Sequence, residues 1–159
     1  MQNNHVQELE QFLSELQANI PNWELTNTAV SKSNIGWHIE HSLLVLSGII
    51  ETTSNSNPKD YHREFNWRRI LVFAQNKIPR GKAKAPKIVH PQNNYSIASL
   101  EDHIASTKTK LEKLSQLSQD KYFKHPGLGN LNLKQTIKFL GIHTRHHLKI
   151  IEDIVKSEE

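Results

Sequence analysis

One stretch constrains what this chain can fold into more than any other. From near Ser31 or Ser33 to about Thr53, apolar residues fall on two opposite sides of a helical wheel. One side carries Ile35, Ile39, Leu43, Leu46 and Ile50. The other carries Trp37, Leu44, Val45 and Gly48, with His41 in line with them. A helix apolar on both sides needs partners on both sides. This segment is therefore expected at the centre of a helical bundle, with Ser31 or Ser33 as its cap. The polar run Thr52 to Pro58 ends it.

Segments able to serve as partners surround it. A first helix is expected from about Asn4 to Asn19, with Asn4 and Gln7 as a capping box and Leu9, Phe12, Leu13 and Leu16 as its stripe. A third, shorter helix is expected from about Tyr61 to Ile78, with Trp67, Ile70, Leu71, Ala74 and Ile78 facing the core. The segment 77–91 is rich in Pro and Lys and too long for a tight turn, so it reads as a crossover across one end of the bundle. A fourth helix, about Ser96 to Gln119, has the seam Ile97, Leu100, Ile104, Thr107, Leu111 and Leu114. His125 to Asn130 reads as a turn. Asn132 and Gln135 then cap a fifth helix reaching about Lys156, with the stripe Leu133, Ile137, Leu140, Thr144, Ile151 and Val155. No strand is expected. The fold class is all-α, a single domain over residues 1–159 made of four long helices, one short helix and a long crossover loop.

Composition narrows the chemistry. The chain has no Cys, which excludes a disulfide framework, a thiol nucleophile and a thiolate metal site. It has ten His, so imidazole, carboxylate and water are the strong metal ligands left. Twenty basic residues stand against 16 acidic ones, and much of the excess lies in the 77–91 loop. Nucleic acid is accordingly only weakly supported as a partner. The first residues lack the pattern of a signal peptide, and the run from Leu43 to Ile50 is too short to cross a membrane. The expected location is cytoplasmic, with no membrane partner.

The histidines carry the functional reading. In the fifth helix His147 falls within the core stripe, His143 sits at its edge, and His146 points roughly 100° away from His147. Residues four apart on one helix face can share a metal. His41 of the second helix offers a third imidazole. His38, about 60° round the wheel, is its rival, and Trp37 and Gly48 favour His41 by giving a packed wall and room for close approach. Three histidines plus water is the usual open arrangement at a reactive zinc. Glu40, Glu51 and Glu152 could orient such ligands, although solvated helix faces are the plainer assignment for them. His5, His62, His90, His103 and His125 have no partner at useful spacing and read as surface or loop residues. There is no His-Glu-x-x-His, so a zincin-type hydrolase is not indicated. The basic loop, with Lys77, Arg80, Lys82, Lys84 and Lys87, could hold an anion or be a solvated connection.

Trp37-x-x-x-His41 in the second helix and His143-x-x-x-His147 in the last, with the crossover between them, resemble the DinB/YfiT-like metal-binding four-helix bundles. His125-Pro126-x-x-Gly129 followed by His143-x-x-His146-His147 is similar to an uncharacterised branch of that superfamily. The resemblance implies a three-histidine site for a divalent metal, zinc or nickel, at His41, His143 and His147. Some members are S-transferases that use bacillithiol or mycothiol, with the metal lowering the pKa of the thiol. The expectation is thus a metal-dependent enzyme, a thiol S-transferase acting on a small-molecule substrate. A homodimer is compatible with it. His38 and His146 remain open as replacement ligands. The rival expectation is a non-catalytic bundle that binds a ligand or partner, its histidines serving the core.

Overall fold

The computed structural model describes residues 2–80 and 86–157. Five α-helices occur along it: α1 (Gln2–Ala18), α2 (Ile35–Ser54), α3 (Trp67–Gln75), α4 (Ile97–Ser115) and α5 (Leu133–Lys156). A small antiparallel pair, β1 (Tyr122–His125) and β2 (Gly129–Asn132), lies between α4 and α5. The fold is the expected all-α bundle with this hairpin added.

α1 and α2 each pack against both α4 and α5. The double apolar character of α2 is thereby explained: one side meets α4, the other meets α5. Ile35, Ile39, Leu43, Leu46 and Ile50 are all buried, as are Leu9, Phe12, Leu13 and Leu16 of α1. Each such side chain taken from water contributes about 1.5–3 kcal/mol. Where α2 and α4 meet, Ser47 and Thr107 are buried and hydrogen-bonded to each other at 3.0 Å, so the polar contact costs little. The α4 seam is buried from Leu100 to Leu114, but Ile97 at its start is exposed.

Local chemistry sets the ends. Asn34, and neither Ser31 nor Ser33, caps α2 by accepting the Trp37 N–H at 2.8 Å. Asn132 and Gln135 form the expected capping box of α5. Asn4 does not cap α1, because the helix already begins at Gln2. α3 is shorter than expected. Asn66 caps it and Asn76 stops it in the left-handed conformation at φ 48°.

Two expectations about packing fail. Trp67, Ile70 and Leu71 do not face the core but are 61%, 55% and 46% exposed. Val72 and Phe73 pack inward in their place. A nine-residue helix held outside the four-helix core has no second layer to cover its other face. The second failure is the hairpin, where a plain turn was expected. Tyr122 pairs with Asn132 and His125 with Gly129. Gly129 adopts φ 73°, and a Cβ there would overlap the Glu64 carboxylate, so only glycine fits the position. Residues 81–85 of the crossover, with Lys82 and Lys84, lie outside the described residues. Its later part brings Val89 onto the core.

Candidate metal centre

α2 and α5 run side by side, and their histidines meet at the contact. One nitrogen from each of His41, His143 and His147 lies within 4.8 Å of the other two. The ring centroids are 5.2 Å apart for His41 and His143, and 4.7 Å apart for both other pairs. His41 and His147 are buried, and His143 is partly exposed. The fold thus brings together the two histidines that helical phase placed on one face of α5 and His41, the preferred candidate of α2.

Hydrogen bonds determine which nitrogen each ring can present. His41 Nδ1 lies 2.7 Å from the Val89 carbonyl oxygen. A carbonyl only accepts, so the proton sits on Nδ1 and the lone pair on Nε2 stays free. Trp37 stacks on the same ring at 4.9 Å with planes 15° apart, which holds its orientation. His147 Nδ1 lies 3.0 Å from His38 Nδ1, leaving its Nε2 as the unengaged nitrogen. His143 Nδ1 is buried without a hydrogen-bond partner. A buried polar atom without a partner is costly, and this one lies in a ring beside two other imidazoles.

Electrostatics keep these rings neutral. Burial pushes the pKa of His143 and His147 well below the usual histidine value, and the neighbouring imidazoles push it further. Burial lowers His41 as well, opposed by its bond to the Val89 carbonyl. Neutral imidazole is the form that binds a metal. Taken together, a cluster of uncharged rings, an unpartnered buried nitrogen and backbone-oriented donors suit a divalent ion such as zinc, whose bonds to imidazole are about 2.0–2.1 Å.

The other candidates fall outside the cluster. His146 is turned away as expected; burial lowers its pKa, opposed by its hydrogen bond to the Ile78 backbone. His38 is buried, with both ring nitrogens engaged: Nδ1 on His147 and Nε2 on Ser31 Oγ at 2.9 Å. It has no lone pair to spare for a metal. Glu40 does not orient a ligand; it bonds His103 Nδ1 at 2.9 Å, which gives His103 a partner that spacing did not suggest. Glu51 and Glu152 are exposed. The role expected of these acids falls to a backbone carbonyl and another histidine. Gly48 does not admit a close neighbour, since a Cβ there would meet nothing within 4 Å. The close approach occurs instead at Gly36, where a Cβ would lie 2.6 Å from the Tyr95 ring.

Val89, His38 and Ser31 stand behind these rings without a sequence signal that marks them. A carbonyl on a loop has no side-chain signature. His38 was visible as an imidazole one turn from His41, but not as its neighbour's hydrogen-bond partner. On the His146 side of α5, a cleft of about 400 Å³ is bordered by His146, Lys77, Arg80, Arg145 and Lys149, and none of the three clustered histidines lines it. Two of its cations are already paired, Arg80 with Asp153 and Arg145 with Glu8. No helix is long and apolar enough to cross a membrane among the described residues.

No curated protein and no solved structure matches the chain. The family model of the DinB superfamily matches residues 4–151. That span includes α2, the crossover and both histidines of α5, and the chain belongs to the DinB superfamily.

Proposed function

We propose that His41, His143 and His147 hold one divalent metal ion and that the protein is a metal-dependent enzyme, a thiol S-transferase of the bacillithiol-using kind. The observation that carries the reading is the convergence of three neutral imidazole nitrogens from two helices within 4.8 Å. A metal held there would lower the pKa of a thiol bound at the fourth position and favour its thiolate. The chain's own residues supply the rest. Val89 and His38 orient two of the ligands from behind, and Trp37 forms one wall. The cleft beside His146, with Lys77 and Lys149 at its edge, suits a small substrate that carries an anionic group.

The rival reading, a bundle whose histidines serve only the core, requires rings too far apart to share an ion and each nitrogen bonded to protein. The 4.8 Å spacing and the unpartnered Nδ1 of His143 speak against it.

Metal analysis of protein prepared without a histidine tag tests the site. Stoichiometric zinc or nickel is expected, and His147→Ala should abolish it. Wild type without metal, together with a His147→Ala variant unchanged in metal content and stability, overturns the reading. Thiol consumption with a halogenated aromatic electrophile then tests the reaction. A fully metal-loaded protein that transfers no low-molecular-weight thiol overturns the S-transferase assignment and leaves the metal centre standing.

A further inference from the structure

His38 is a buried imidazole that the metal centre itself does not use. It is 3% exposed and lies between His147 on one side and Ser31 on the other. We propose that His38 and Ser31 are positioning residues that hold His147 in the tautomer able to bind a metal. This rests on the metal-site reading above.

Donors and acceptors decide which tautomer His147 adopts. A neutral imidazole donates at one nitrogen and accepts at the other. The chain His147 Nδ1, His38 Nδ1, His38 Nε2, Ser31 Oγ, with contacts of 3.0 Å and 2.9 Å, can therefore run in two directions. In the first, the Ser31 hydroxyl donates to His38 Nε2 and His38 Nδ1–H donates to His147 Nδ1. His147 then carries its proton on Nε2 and has no lone pair to offer there. In the second, His147 Nδ1–H donates to His38 Nδ1, and His38 Nε2–H donates to Ser31 Oγ. His147 Nε2 is then a bare lone pair. Only the second direction supports a metal, and it needs an acceptor at the end of the chain.

Ser31 is placed to be that acceptor. Its Oγ already accepts the Ser33 N–H at 3.1 Å, which ties it to the turn before α2. Asn34 takes over the capping of α2, so Ser31 is not needed there. A hydroxyl oxygen has two lone pairs, enough for both donors. His41 obtains the same orientation more simply, from the fixed carbonyl of Val89. The two ligands are thus held from behind by different devices, one backbone and one a side-chain relay.

Zinc affinity, measured on the full chain without a tag by competition with a chromophoric chelator, tests this. His38→Leu is expected to weaken zinc binding roughly 10–100-fold, the usual effect of losing an outer partner of a metal-bound histidine. His38→Asn should recover most of the affinity, because its Oδ1 can accept from His147 Nδ1–H in place of the imidazole. Ser31→Ala should fall between wild type and His38→Leu. A merely structural His38 would show no such rescue ordered by acceptor capacity. Ring ¹⁵N spectra of the zinc-loaded wild type should show the proton on Nδ1 of His147 and on Nε2 of His38. A His38→Leu affinity within about twofold of wild type, or a zinc-loaded His147 protonated on Nε2, overturns the proposal and leaves the metal site intact. A wild type that binds no zinc overturns both. If His38→Leu does not fold, His38→Asn, Ser31→Ala and the wild-type spectra still decide.

Discussion

Two partly buried histidines, one just before α5 and one within it, look alike by their basicity and differ in where their nitrogens bond. Burial lowers the pKa of His125 to about 4, and it lowers that of His143 well below the usual value. His125 Nδ1 accepts the backbone N–H groups of Gly127 and Leu128 at 3.0 and 3.1 Å. Around it the polar groups are tied together. Arg69 donates to the carbonyls of Glu64, Leu128 and Asn130, and Glu64 accepts the Asn130 N–H. That corner staples the hairpin to the segment before α3. His143 Nδ1 has no such partner.

The contrast shows that a depressed histidine pKa does not by itself mark a site. What distinguishes the two is where the lone pair goes. Among the described residues, two buried side-chain atoms lack a partner, Asn130 Oδ1 and His143 Nδ1. Asn130 stands singly, and its amide nitrogen is anchored on the His62 carbonyl at 3.1 Å. His143 shares its surroundings with two further imidazoles, each with its outer nitrogen already bonded. Only the second arrangement converges on a point.

The sharpest way to break the comparison is to remove each histidine in turn. His143→Ala and His147→Ala are expected to lose stoichiometric metal outright. His125→Ala should keep metal content unchanged in elemental analysis while losing about 1–3 kcal/mol of stability, since two backbone donors lose their acceptor. If His125→Ala also loses metal while remaining folded, the two corners are not independent. Gly129→Ala should cost on the order of 1–3 kcal/mol for its left-handed backbone, or more with the overlap on Glu64, in chemical denaturation.

Acid should act on the His125 corner in a definite direction. Its folded pKa, about 4, lies below the ordinary 6.5, so below pH 6.5 the unfolded chain binds a proton that the folded one refuses. The stabilisation is complete above pH 6.5 and declines as pH falls towards about 4. The loss is on the order of 1–3 kcal/mol for this group. Urea midpoints at mildly alkaline and mildly acidic pH should diverge in wild type and diverge less in His125→Ala. An equal divergence in both would remove His125 as the source. The smallest effect is expected on α3: Trp67→Ser should shift stability by no more than about 0.5 kcal/mol, because the ring is exposed. In the same assay Leu111→Ala, at a buried position, should cost about 2–5 kcal/mol.

The bundle was legible where a helix is long and has partners. The stripes of α1 and α5 and the two-sided α2 were read from period alone, because many residues repeat one signal. The capping box at Asn132 and Gln135 was legible for the same local reason. α3 was misread, since a stripe of Trp67, Ile70 and Leu71 states amphipathicity without stating that anything covers it. The hairpin was missed because four-residue strands such as Gly129–Asn132 hold too few residues for alternation to show.

At the candidate metal centre the division is equally clear. Helical phase by itself placed His143 and His147 on one face and turned His146 from it, because side-chain direction on a helix follows residue number. It could not decide between His38 and His41, which differ by less than one turn and are both buried. That choice belongs to the tertiary structure. The packing of α2 against α5 puts His41 among the clustered imidazoles and His38 behind one of them, and the crossover delivers the Val89 carbonyl to the back of His41. Contacts between residues far apart in the chain decide which lone pairs remain free, and no local pattern encodes them.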